Sequence, residues 1–393
     1  MMRDLKPSTK AVHAGVKRSQ FGELSEAIFL TQGFVYDSAE QAEARFVEAG
    51  DDEYIYARYG NPTVRMFEER IAAIEGAEDA FAAASGMAAV SGTLFSMLSA
   101  GDHIVAARAL FGSCLFLLET VLPRWGVDVS FVDGTDLEAW RATVRADTKA
   151  VFLESVSNPT LELVDIQAVS EIAHAAGAQV IVDNVFATPM FNDAFGLGAD
   201  IVIYSTTKHI DGQGRCLGGV VLGREEFIRK TYEPFNKHTG GAMSPFNAWI
   251  MLKGLETLDL RCRQQAQTSM RVATYLSKAS GVLKVLYPFH EAHPQQALAK
   301  RQMSQGGTVV AFELEDGKDA AFRFLNALEI VTISNNLGDA KSLITHPSTT
   351  THQRLSDAQK GVLGVTDGLL RLSLGLEDCD DLLTDIALAL EAV

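Results

Sequence analysis

Two short apolar runs in this chain each end in groups that can do chemistry. Ile201-Val-Ile-Tyr-Ser-Thr-Thr-Lys208-His209 sets a lysine amine and two hydroxyls, Ser205 and Thr207, just past a Val/Ile run, and Val180-Ile-Val-Asp183-Asn184 ends another run in a carboxylate. A lysine so placed can form a Schiff base with an aldehyde, hydroxyls can hold a phosphate, and a carboxylate can keep a pyridine nitrogen protonated. Together these are the donors that pyridoxal phosphate (PLP) needs. Each run by itself reads more readily as an ordinary strand with a polar cap or ion pair, so the pair points to an enzyme without establishing one.

Asn158 follows a third such run, Val151-Phe-Leu, and ligands of open α/β sheets sit at the carboxyl ends of strands. Ala84-Ser85-Gly86-Met87-Ala88-Ala89 is a small-residue turn opening a helix, where free N–H groups and the helix dipole can receive a phosphate. A plain N-cap by Ser85 accounts for the same residues. Arg371, read alone, is an ordinary strand residue.

These groups need a scaffold, and the alternation of runs supplies one. Residues 1–60 lack a repeating strand and helix pattern and read as an arm, ending near Tyr56 and Arg58 in an acidic, aromatic stretch that begins at Asp51. From 61 to 256, Val/Ile-rich runs at 103, 128, 150, 180, 201 and 219 alternate with helical patterns such as Ile166 to Ala176. Runs apolar on both faces predict an α/β fold with a mainly parallel sheet covered by helices. From 257 to 393 a long helical stretch, runs at 308 and 369 and a terminal helix over 380–391 predict a smaller C-terminal α/β domain.

Composition narrows the partners. The 393 residues are 47% hydrophobic and 21% charged, ample for two globular cores. A net charge of -16 argues against nucleic acid and anionic membranes. Four scattered cysteines, a polar N-terminal stretch without a signal core and the lack of a run near the roughly 18 apolar residues of a membrane span predict a reduced, cytoplasmic protein.

Several motifs, in order along nearly the whole chain, resemble the Cys/Met-metabolism family of PLP-dependent enzymes. They are Ala11-Val-His-Ala-Gly15, Tyr56-Ala-Arg58-Tyr-Gly-Asn-Pro-Thr63, Ser85-Gly-Met87, Asp183-Asn-Val-Phe-Ala-Thr-Pro189, Ser205-Thr-Thr-Lys208, Ser342-Leu-Ile-Thr-His-Pro347 and Arg371-Leu-Ser-Leu-Gly-Leu-Glu-Asp378. The resemblance implies the aspartate-aminotransferase-like fold (fold type I). It also implies Lys208 as the cofactor lysine, Asp183 at the pyridine nitrogen, and Gly86, Met87, Ser205 and Thr207 at the phosphate. Asn158 and Phe111 join this cofactor set, and Ser342 and Arg371 would bind the substrate carboxylate. Tyr56 and Arg58 would reach the phosphate of a neighbouring subunit, in a homotetramer built from dimers.

One departure bears on the reaction. Most family members have a tyrosine where this chain has Phe111, before Gly112-Ser113. Phe111 can stack on a pyridine ring but cannot move a proton, which weakens a lyase reading and leaves acid–base work to Lys208, water or another residue. Leu30-Thr-Gln32-Gly33-Phe34-Val-Tyr36 and the stretch from Lys208 to Gly218 resemble the O-succinylhomoserine sulfhydrylase branch. The implied substrates are a homoserine ester and sulfide. A cystathionine γ-synthase, an O-acetylhomoserine sulfhydrylase, a γ-lyase and a non-enzymatic PLP-binding protein stay open as alternatives.

Other constellations point to structure. His290-x-x-His293 lies in a loop-like stretch without cysteine partners and reads as solvated loop, so no metal site is expected. Gly212-x-Gly214-x-x-x-Gly218 lacks dinucleotide spacing. His209, His346 and His352 read as satisfied polar residues, and Lys237 as a surface cation with a possible role near the site.

Overall fold

A computed structural model describes residues 5–50 and 52–393. The first four residues of the polar N-terminal stretch and Asp51 of the acidic one lie outside the described residues. In chain order the strands are β1 (Asp79–Ala83), β2 (His103–Ala107), β3 (Asp128–Val132), β4 (Thr148–Glu154), β5 (Gln179–Asp183), β6 (Ile201–Ser205) and β7 (Gly219–Gly223). They continue with β8 (Val282–Leu286), β9 (Val309–Leu314), β10 (Thr332–Ile333), β11 (Leu343–Thr345) and β12 (Leu369–Ser373).

The chain divides into two compact units. The first holds the described residues up to Leu98, with Ile201–Asp211 and Arg215–Thr257. In it β7 pairs antiparallel with both β1 and β6. Helix Pro62–Glu75 begins at the N-cap Asn61, whose side chain accepts from Thr63 N–H, and stops at left-handed Gly76. The arm has no core of its own and is laced onto this helix. Asn61 donates to the Phe29 carbonyl at 2.9 Å, Thr63 donates to Ala27 at 3.1 Å and accepts from Phe29 N–H at 2.9 Å, and buried Arg70 donates to Ala14 at 2.8 Å.

The second unit holds Ser99–Asp200, Gly212–Gly214 and Leu258–Val393. Strands β3, β2, β4 and β5 pair in parallel in that order. From Ala150 to Glu154 every residue of β4 is buried, the mark of a strand covered on both faces. A second sheet runs β10-β11-β12-β9-β8. Its core gathers Tyr287, Phe312, Phe324, Leu370, Leu372 and Ile386, with the Phe312 and Phe324 rings edge-on at 5.6 Å. The architecture is the α/β fold with a mainly parallel sheet and a smaller C-terminal α/β part that the sequence predicts. Small-residue β1 (Asp-Ala-Phe-Ala-Ala) carries no Val or Ile, and its place comes from its antiparallel partner β7. Among the described residues no helix is long and apolar enough to cross a membrane.

Candidate active site

In the first unit the phosphate candidates converge by close backbone approach. Ser85 caps helix Gly86–Met97 by accepting from Ala88 N–H. Gly86 lies so near the end of β6 that a Cβ on it would meet the Ser205 Cβ at 2.6 Å and its hydroxyl at 2.9 Å. Gly219 opens β7 directly against the Ser85 carbonyl, where any side chain would collide. Two glycines therefore keep open a cradle between a helix N-terminus and a serine hydroxyl that bonds to no protein group among the described residues. Such a cradle, a helix N-terminus facing a hydroxyl, fits a phosphate. Thr207 is less free, since its hydroxyl accepts from Gly218 N–H at 3.1 Å. Lys208 follows in the turn after β6, where its N–H donates to the Ser205 carbonyl at 3.2 Å, and is partly exposed.

Tyr56 is exposed, and Arg58 donates to the carbonyl of Lys237. The Arg58 guanidinium also lies 4.8 Å from the centre of the Tyr59 ring and 5.5 Å from that of Tyr56. Lys237 is 5.3 Å from the Tyr59 ring, so these groups form one aromatic and cationic cluster.

The second unit brings Phe111, Asn158, Asp183 and Arg371 into linked positions. Asp183 ends β5 in register with Glu154, which ends β4, and accepts from Val185 N–H at 3.1 Å. Burial raises both carboxyls, the Asp183 charge adds to the effect at Glu154, and the Val185 bond partly offsets it at Asp183. A protonated pyridine nitrogen would supply the positive charge that stabilises the ionised Asp183. Glu154 accepts the N–H of Phe111 and, at 3.3 Å, that of Asn158.

Arg371 is fully buried. It donates to Asn158 Oδ1 at 2.8 Å and to the carbonyls of Asn335 and Asn336 at 2.8 and 3.2 Å. Its Nε has no partner, and among the described residues no carboxylate pairs with it. Burial brings the guanidinium down to about 10, which leaves it charged at neutral pH. A buried cation with a spare donor fits a carboxylate arriving from outside. Ser342 is also fully buried, but its hydroxyl already donates to Glu377 at 2.9 Å and accepts from Gly375 N–H at 2.9 Å.

Burial, together with the Arg371 charge, pushes the His352 imidazole down to about 4, so it is neutral. His346 has both ring nitrogens bonded, to Thr349 and to the Asp367 carbonyl. His290 and His293 are buried, and each accepts a backbone N–H through Nδ1. Sequence reasoning passed over Glu154, although its signal matched that of Asp183: a lone acid closing an apolar strand.

The model of the family described as Cys/Met metabolism PLP-dependent enzyme matches residues 8–391. The chain is 54% identical over 388 residues to the O-succinylhomoserine sulfhydrylase of Mycobacterium tuberculosis, covering 98% of this chain and 95% of that protein. It is 48% identical over 386 residues to the O-succinylhomoserine sulfhydrylase of Pseudomonas aeruginosa, with the same coverage. The crystal structure of metB from Corynebacterium glutamicum is similar with a TM-score of 0.93 at 32% identity, covering 100% of this chain and 99% of that one. The chain belongs to the Cys/Met metabolism family of PLP-dependent enzymes, and its cofactor is pyridoxal phosphate.

Proposed function

We propose that this chain carries out γ-replacement on O-succinyl-L-homoserine with hydrosulfide, giving L-homocysteine and succinate for methionine biosynthesis. The observation that carries the amino-acid part is Arg371, a buried guanidinium with a spare donor and no acidic partner among the described residues. The identity to two sulfhydrylases over nearly the whole chain supports the choice of ester and nucleophile.

When bound, PLP supplies an electron sink that stabilises negative charge on the carbons beside the substrate amine. Gly86, Met87, Ser205 and Thr207 would hold its phosphate, with Tyr56 and Arg58 given by a neighbouring subunit. Asp183 would hold the proton on its pyridine nitrogen, and Phe111 and Asn158 would contact its ring. Arg371 grips the substrate α-carboxylate, and Ser342 braces the neighbouring loop through Glu377. Lys208 binds the cofactor at rest and then moves the substrate protons, taking one from Cα and returning one at the end. Loss of a Cβ proton to Lys208 supplies the pair for a Cβ=Cγ bond as the Cγ–O pair leaves on succinate. Hydrosulfide then supplies the pair for the new Cγ–S bond while Cβ is reprotonated. Phe111 cannot share the proton traffic, which favours replacement over the lyase reaction.

We also propose a cytoplasmic homotetramer built from dimers, with residues 1–60 as the intersubunit arm, 61–256 as the PLP-binding domain and 257–393 as the C-terminal domain. Supporting the arm's role, Phe21, Leu24, Val35 and Val47 are 82–91% exposed in the single chain, a run of apolar groups that a second copy would cover.

The experiment is a product assay on the PLP-loaded protein, offering the succinyl and acetyl esters of homoserine with sulfide or with cysteine. Homocysteine chiefly from the succinyl ester and sulfide is expected. Cystathionine from cysteine as the main product, or preference for the acetyl ester, would replace this reading with a sister activity.

A further inference from the structure

Glu154 is a carboxylate in an expensive place. It is 5% exposed, closes the buried run Ala150–Leu153 and is the in-register neighbour of a second acid, Asp183. Desolvation and the nearby like charge both oppose its ionisation. The Cys114 thiol lies close enough to feel both acids, and burial with these two charges pushes it well up. A residue this costly is matched to what it touches.

One Glu154 oxygen accepts the N–H of Phe111, 43 residues earlier, and the other accepts the N–H of Asn158. Asn158 in turn accepts from Arg371 through its side chain at 2.8 Å. A single carboxyl group therefore ties the turn bearing the ring-stacking residue to the loop bearing the ring-edge residue, and through that loop to the carboxylate-binding arginine. Only a side chain with two acceptor oxygens can serve both amides. Glutamine offers one acceptor and would turn an NH2 group toward the other N–H. An apolar replacement would leave both buried amides unmet.

We propose that Glu154 is a positioning residue of the PLP site, holding Phe111 and Asn158 at a fixed spacing around the strand end that carries Asp183. It touches neither ring nor substrate and acts through those residues. The inference rests on the assignment of Phe111, Asn158 and Asp183 to the cofactor, so Asp183→Asn is measured beside Glu154→Gln.

Three readouts decide it: PLP affinity by titration of the apoprotein, visible circular dichroism of the bound cofactor, and hydrogen–deuterium exchange at the Phe111 and Asn158 amides of the holoenzyme. Glu154→Gln is expected to weaken PLP binding by about tenfold, the cost of one buried unmet amide. It should also shrink the visible dichroic band and expose at least one of the two amides, with far-ultraviolet dichroism unchanged. Wild-type affinity, band and protection in Glu154→Gln, alongside a weakened Asp183→Asn, would overturn the inference alone. An Asp183→Asn protein that binds PLP with unchanged affinity and spectrum would overturn the site assignment beneath it. Should Glu154→Gln fail to fold, exchange in the wild-type protein decides: slow exchange at both amides supports the role, and unprotected rates overturn it.

Discussion

A guanidinium taken wholly out of water keeps its charge at a cost, and Arg371 bears that cost beside two carbonyls and an amide oxygen but no acid among the described residues. On the proposed reading, an amino-acid substrate brings the missing counter-charge. Arg371→Lys keeps the charge and loses the planar fork, so KM for the homoserine ester should rise on the order of 10- to 100-fold, with a smaller change in kcat. Steady-state kinetics check this, and an unchanged KM would remove Arg371 from the substrate site. Lys208→Ala should lose nearly all turnover, about a thousandfold or more, because the group proposed to move the substrate proton is gone. It should also lose the visible absorbance of the lysine-bound cofactor. Homocysteine formation at wild-type rate by this variant would sink the assignment. Lys208 and Asp183 could be singled out as candidates because Asp183 ends an apolar run and Lys208 follows one in the adjoining turn. Arg371 was not, because nothing local tells a buried arginine from one whose head reaches water.

At the scale of elements, the cradle proposed for the phosphate depends on how closely helix Gly86–Met97 can approach β6. A methyl group on Gly86 would stand 2.6 Å from the Ser205 Cβ, well inside contact distance. Gly86→Ala must therefore push the helix start away from the strand, at about 1–3 kcal/mol of overpacking, and PLP should bind at least about tenfold more weakly. Titration of the apoprotein with PLP measures this, and wild-type affinity would separate this turn from the phosphate. The turn itself could be read from Ser85-Gly86-Met87, where a plain N-cap is the favoured reading and phosphate binding the alternative. The choice between them depends on what lies opposite the glycine, which is a matter of strand pairing.

At the scale of the molecule, the arm is held by a buried charge cluster in its own unit. Arg70 and Lys253 both pair closely with Glu26, and Trp249 donates to the Glu26 carbonyl at 2.9 Å. Burial alone would raise the Glu26 carboxyl, but hydrogen bonds from Lys253 and Arg70 override it and bring it from 4.5 down to about 2. Because the folded value is the lower one, this contribution to stability is complete above about pH 4.5 and fades as pH falls toward 2. Glu26→Gln should lower Tm at neutral pH and flatten the loss of stability across that acid window, which thermal melts over a pH series would reveal. An unchanged acid limb would show that the arm is held by its other contacts.

The sequence by itself determined the class of fold and the strand-end residues that are candidates for chemistry. Both are local: an apolar run of strand length marks a covered strand, and the first polar residue past it falls where ligands bind. Only the tertiary structure decided which distant groups meet. Arg371 and Asn158 are 213 residues apart and share a hydrogen bond, and Glu154 finds the Phe111 amide across 43 residues. Arg70 is buried against the arm instead of reaching solvent. Such pairings follow from strand register and packing, which no short window of sequence contains, and they turn a set of suitable residues into a positioned one.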